Sequence, residues 1–210
     1  MLIRSRGSEP VVDTSAFVAP TAVLVGRVLV GPGARVMYGA VLDSEDSRVE
    51  IGPTTIICEN AVLRATAVGE EERPVLLGNH VFVGPHATLL GCTVEAACYV
   101  ATGATILQGA ILGTGAVVAV GALVHANTVV PSEYFVPPNT IAVGDPLRVY
   151  SPGHEQLPEA IRSASFARTA FGVRTAWEDR VSRYRDVAEV RAQEFGSHLE
   201  DDILDAGPER

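Results

Sequence analysis

Aliphatic residues recur every six positions along most of this chain, and few folds can absorb that period. The series reads Val18, Leu24, Val30, Val36 and Leu42, then Ile51, Ile57 and Leu63, then Leu77, Val83 and Leu89. It slips by one residue and continues through Val94, Val100, Ile106, Leu112, Val118 and Val124. A second register of small residues follows four positions later: Ala22, Val28, Ala34, Ala40, Thr55, Ala61, Val81, Ala87, Thr93, Cys98, Ala104, Ala110, Ala116, Ala122 and Thr128. Two polar stretches interrupt the frame, Asp43 to Arg48 and the charged Ala67 to Pro74, which reads as a protruding loop.

A narrow triangular coil explains this pattern. Each turn has three flat faces of about six residues, and each face needs one large aliphatic on the axis and one small residue near the corner. Gly or Ala follows many of the large residues, at Ala19, Gly31, Gly52, Gly78, Gly84, Ala101, Gly113 and Ala119, where a corner needs tight backbone. Stacked turns then pair strand on strand in parallel. A sandwich of ordinary strands would instead show period two, with turns at irregular spacing. The expected fold is therefore an all-β solenoid with room for six or seven coils over residues 1–150, followed by an extension over 151–210.

Pro131, Pro137, Pro138 and Pro146 mark the end of the repeat, and Ser151-Pro152-Gly153 reads as a linker. Helical spacing runs from Pro158 to Phe171, with Gly172 as a stop signal. A second helix is predicted from a Thr175 cap with Glu178 as its capping-box partner. Trp177, Val181, Tyr184, Val187 and Val190 form one apolar face, expected to pack along the coil of its own or a neighbouring subunit. The acidic tail from Glu200 to Arg210 is expected to fray.

Composition narrows the function classes. Net charge is −9 and all 16 basic residues are arginine, so an anionic polymer or anionic lipid surface would be repelled. No apolar run is long enough to span a bilayer, and Met1 to Pro10 lacks an apolar signal region. Neither nucleic acid nor membrane is an expected partner. Three cysteines, Cys58, Cys92 and Cys98, suit a reducing cytoplasm better than a disulfide framework.

Several local signatures resemble the gamma-class carbonic anhydrase branch of the hexapeptide-repeat superfamily, over roughly residues 10–150. They are Val36-Met37-Tyr38-Gly39-Ala40-Val41-Leu42, Ile51-Gly52 with Thr55-Ile56-Ile57, Val83-Gly84, and Gly91-Cys92-Thr93-Val94. The resemblance implies a left-handed parallel β-helix with C-terminal helices, a homotrimer, and a metal held by three histidines shared across a subunit interface. Aligned on those signatures, the histidine positions carry Arg64, Pro85 and Leu90, none of which is a ligand. No metal and no other cofactor is therefore expected. The family's arginine-glycine-aspartate stretch appears as Asp43-Ser44-Glu45, and its glutamine-aspartate pair as Cys58-Glu59.

The expected binding cleft then comprises Asp43, Glu45, Cys58, Glu59, Arg64, Pro85, His86 and Leu90, with His86, Glu45 and Glu59 as weak catalytic candidates. Arg64 is expected to replace the cation by pairing with Asp43, Glu45 or Glu59. The acidic neighbours Glu59 and Glu45 should hold Cys58 protonated and inert. Three functional readings follow: a small-molecule site, with an acyl thioester as one ligand class; a non-catalytic trimeric scaffold or regulatory subunit; and a true carbonic anhydrase or acyltransferase with a displaced site. If active, the protein would resemble an acyltransferase or thioesterase.

Overall fold

The computed structural model describes residues 1–68 and 71–204. The chain winds into a left-handed parallel β-helix with three faces. Two faces carry seven parallel strands each. The remaining face carries ten strands, its parallel stack extended by one antiparallel strand at each end.

The six-residue series becomes three vertical ladders of buried side chains. On the ten-stranded face, Leu24, Leu42, Leu63, Leu89, Ile106 and Val124 stand in register. A second ladder runs Val30, Ile51, Leu77, Val94, Leu112 and Val130. The third runs Val18, Val36, Ile57, Val83, Val100, Val118 and Val136. The small residues of the second register fill the corners between ladders, with one correction. Thr93 is only partly buried, and Cys92 takes the buried slot. The one-residue slip thus falls at Leu90–Gly91, ahead of Cys92. The buried Thr55 is satisfied, its hydroxyl donating to the Gly78 carbonyl at 2.8 Å and accepting from Val81 N–H at 3.0 Å.

The corners divide their demands between two positions. Gly52, directly after its aliphatic, has an ordinary φ but no room: a Cβ would lie 2.5 Å from the Gly78 carbonyl on the next coil. Left-handed backbone occurs two residues later, in a column that includes Gly33, Thr54, His80, Ala97, Gly115 and Glu133. The small residue answers coil-on-coil approach, while the turn itself falls on residues of several types.

The extension departs from its sequence expectations. The predicted helix from Pro158 to Phe171 is two helices, α1 (Leu157–Ser163) and α2 (Phe166–Phe171), broken at Ser165 with φ 50°. The break lets the Phe166 ring meet His125 on the coil and Phe171 within α2. Gly172 ends α2 in the left-handed conformation, as its position predicts. Helix α3 spans Arg180–Gly196, capped by Asp179, whose carboxylate accepts from Ser182 N–H at 3.1 Å. Thr175 instead hydrogen-bonds Asp186.

The face expected to pack on the coil points outward within the chain: Val181 is 82 % exposed and Tyr184 62 %. Two turns beyond Tyr184 on the same helix, Arg191 and Glu194 meet the coil. Buried carboxylates on that flank need cations, and leaving them unpaired would cost more than exposing a valine. The start of the tail is ordered, Asp202–Leu204 pairing antiparallel with Leu2–Arg4 and covering a sheet edge. Its remainder, 205–210, and loop positions 69–70 lie outside the described residues. Among the described residues no helix is long and apolar enough to cross a membrane.

Candidate functional site

Asp43, Arg64 and Leu90 end three successive strands of the ten-stranded face and stand directly in register. Leu42, Leu63 and Leu89 point into the core, so strand alternation turns the following side chains outward. Past Asp43 the chain turns through Ser44 and Glu45, and Glu45 has φ 46°. Its N–H donates to the Asp43 carboxylate at 2.9 Å, and Ser44 Oγ accepts from Arg27 N–H at 2.9 Å. These bonds bring both carboxylates to one side of the corner.

Arg64 lies beside both. Its Nε is 3.6 Å from Asp43 Oδ2 and 3.7 Å from Glu45 Oε1, within ion-pair reach but too far for hydrogen bonds. That buried Nε has no hydrogen-bond partner. Arg191 of α3 makes the tighter contact. Its Nη1 donates to Glu45 Oε2 at 3.0 Å and its Nη2 to Oε1, a bidentate fork on a carboxylate whose side chain is 1 % exposed. Burial pulls the Arg191 guanidinium toward lower pKa, but the paired Glu45 outweighs it and the net shift is upward. The Phe195 ring covers both cations, its centroid 4.2 Å from Arg191 Cζ and 5.3 Å from Arg64 Cζ.

His198 completes the cluster. Its Nδ1 lies 2.8 Å from Asp201 Oδ2, and its Nε2 is 3.8 Å from Asp43 Oδ2. An imidazole held by a carboxylate at one nitrogen presents the other as an acid or base. Arg6 pins this end of α3 to the coil, donating to Glu194 Oε2 at 2.8 Å and Ser197 Oγ at 2.7 Å.

The eight cleft residues read from the sequence therefore fall into two groups. Asp43, Glu45, Arg64 and Leu90 share one corner. Cys58, Glu59, Pro85 and His86 occupy the corner after a different face, where His86 N–H donates to the Glu59 carbonyl at 3.0 Å. His86 has φ 58°, so it stands in left-handed corner backbone, where strand alternation does not set the direction of its side chain. Of the three carboxylates proposed as partners for Arg64, Asp43 and Glu45 are in reach, and no ion pair to Glu59 is found among the described residues. The Cys58 thiol is pushed up, chiefly by burial and secondarily by Glu59; Glu45 plays no part. Burial alone raises Cys92 to about 12.

Arg191, Phe195, His198 and Asp201 escape the sequence reading because they lie in the extension, about 150 residues from their partners. Arg191, Phe195 and His198 are spaced four and three apart and so share one helical side. That spacing is the available signal, but it continues the side already marked by Tyr184 and Val187, where the apolar pattern outweighs it. Among the described residues no group of three or more His, Cys, Asp or Glu side chains is arranged to hold a metal ion.

No family model matches the chain. Gamma carbonic anhydrase 2, mitochondrial, of Arabidopsis thaliana is 39 % identical over 94 residues, covering 44 % of this chain and 34 % of that protein. Gamma carbonic anhydrase-like 2, mitochondrial, of the same plant is 34 % identical over 88 residues, covering 41 % and 34 %. The chain thus spans about a third of the length of the curated relatives it matches. Among solved structures, a hexapeptide transferase family protein from Anaplasma phagocytophilum superposes with a TM-score of 0.59 at 24 % identity, covering 91 % of this chain and 97 % of that one. That likeness speaks for the fold alone. Over the matched segment the chain is thus similar in sequence to gamma carbonic anhydrases and gamma-carbonic-anhydrase-like proteins, and its coil has the fold of a hexapeptide transferase family protein.

Proposed function

We propose that this protein works without the metal triad of its relatives and binds or transforms a small molecule, of the acyl-thioester class, in a cleft between the subunits of a homotrimer. The observation that carries this reading is Arg64, set in register between Asp43 and Leu90 with two buried carboxylates within ion-pair reach. A guanidinium supplies fixed positive charge there but has no lone pair for a metal, and neither Pro85 nor Leu90 offers a donor. The residues at these positions do not fit zinc. The separation of Asp43, Glu45, Arg64 and Leu90 from Cys58, Glu59, Pro85 and His86 on two corners of one chain suits a cleft in which one subunit contributes each group.

In this reading Glu45 is structural, since Arg191 occupies both its oxygens. His198, oriented by Asp201, is the base. Water loses a proton to His198 Nε2 while its oxygen bonds to the thioester carbonyl carbon. The C–S bond then breaks, and the proton returns to the leaving thiolate. Arg64 faces the oxyanion that develops between those events. Three buried, unpaired thiols suit a reducing compartment, which we take to be the cytoplasm, although the relatives' names place those proteins in mitochondria.

A panel of acyl thioesters, read by thiol release, tests the reaction. Release should fall at least tenfold in His198→Gln, and wild-type protein should show no carbon dioxide hydration whether or not zinc is supplied. Zinc-dependent hydration would overturn the reading. A second reading, a trimeric scaffold, draws on the closure of the site: Glu45 is sealed and Phe195 lies over both guanidiniums. Silence across the panel with an intact trimer would favour it.

A further inference from the structure

The cluster at Arg64 is closed, and its closure is imperfect. Asp43 and Glu45 are buried, and Arg191 caps Glu45 from above. Yet Arg64 Nε and Asp201 Oδ1 are sealed from solvent without a hydrogen-bond partner. Among the described residues four buried side-chain atoms are orphaned in this way, and two of them fall in this one cluster. Desolvated polar atoms without partners favour any rearrangement that lets water or a ligand reach them.

Phe195 forms the cover. Its ring stands over Arg64 and Arg191 and lies 6.1 Å from the His198 ring. Arg64 Nε and His198 Nε2 both face one oxygen, Asp43 Oδ2, so the ring leans on the cation and on the base together. The residue is 41 % exposed, so within the chain its far side meets water. A Cβ on the following Gly196 would meet no neighbour within 4 Å, so the backbone there is also uncrowded. His198 is fastened by contrast. Asp201 holds its Nδ1, Arg6 grips the adjacent Ser197, and Asp202–Leu204 pairs with the first strand. A change of rotamer at Phe195 therefore uncovers Arg64 while His198 stays in place.

We propose, resting on the chemistry assigned above to Arg64 and His198, that Phe195 is an autoinhibitory plug whose ring blocks the approach to both in the resting chain and swings outward to admit the thioester. Attraction between the ring face and two guanidiniums holds the plug in. Hydration of Arg64 Nε and Asp201 Oδ1 favours the open position. A substrate that reaches Arg64 only when the ring is out selects the open position. A ring that merely packs the cluster has the opposite consequence, since its removal would loosen the site and slow the reaction.

Two measurements on the full chain test the plug. The first needs no substrate: phenylglyoxal modifies accessible guanidiniums, and peptide mass spectrometry reads its rate at Arg64 against the exposed Arg185 as internal standard. That rate should rise about tenfold in Phe195→Ala, the scale of losing two cation–π contacts. The second is thiol release from acyl thioesters, where kcat/KM should rise by a similar factor as the open fraction grows. Unchanged modification of Arg64 would overturn the plug. So would faster modification with turnover at or below that of wild type. If neither protein releases thiol from any thioester, the thioester reading fails, and Arg64 modification then decides the plug alone: a faster rate supports it and an unchanged rate sinks it. Should Phe195→Ala not fold, Phe195→Leu decides by the same measurements, because it keeps an apolar side chain and loses the ring.

Discussion

The coil and the helical extension hold together by opposite means. In the coil, each face repeats one local solution, an aliphatic on the axis and a small residue at the corner, and each copy rests on its neighbours above and below. In the extension, almost every contact is unique. Arg191 forks onto Glu45, Arg6 holds Glu194 and Ser197, and Arg183 is buried between the Trp177 and Tyr184 rings with its Nη1 donating to the Trp177 carbonyl at 2.8 Å. Arg183 is the only fully buried residue of α3. Apolar packing by repetition tolerates error, because any aliphatic of similar size can serve. A single ion pair across the fold does not.

Four perturbations sharpen that contrast. Leu63→Ala, in the middle of a ladder, should cost about 4 kcal/mol in chemical denaturation, because adjacent coils cannot collapse into the gap. A cost below that of an exposed substitution would mean the coil is not close-packed. Glu45→Gln should cost about 3 kcal/mol by leaving Arg191 half-buried without its counter-charge. Replacing both partners, as Glu45→Gln/Arg191→Met, should recover most of that loss, and a double variant no better than the single would show the pair acts through something else.

Gly52→Ala should cost about 2 kcal/mol by crowding the neighbouring coil, more than Gly33→Ala, which meets its nearest atom at 3.6 Å and pays mainly for its left-handed backbone. The reverse order would reassign the corner glycines to conformation. The smallest effect concerns His125, buried under α2 and lowered by burial from its ordinary value of 6.5. The unfolded chain takes up the proton more readily, so the stability this site contributes is complete above pH 6.5 and is lost as pH falls toward the folded value. Denaturant midpoints at pH 7.5 and 5.5 should fall farther in wild type than in His125→Leu; equal falls would place the ring in contact with solvent.

Legibility followed the same division. Every residue of the main aliphatic series lies on one of the three ladders, because a solenoid places sequence neighbours and coil neighbours by one rule. Thr93 misleads because a one-residue slip is visible only as a lost period, with several places to put it. His86 lies at a corner, where backbone of positive φ carries the side chain and no strand pattern fixes its direction. At the site, the family resemblance brought Asp43, Glu45 and Arg64 together, but half the cluster comes from the extension. There, apolar periodicity singled out Val181 and Tyr184, whereas the contacts with the coil come from charged residues two turns farther along the helix, Arg191 and Glu194.

Period alone was enough to dictate the triangular coil, its parallel ladders and its aliphatic core, since a six-residue repeat of large and small side chains can bury itself in few other ways. Which residues of α3 meet the coil, how Arg191 and His198 join Asp43 and Glu45, and how Phe195 comes to lie over two guanidiniums were decided only in three dimensions. These contacts link residues far apart in the chain, and desolvated charge selects its partner by position in space, which no local pattern encodes.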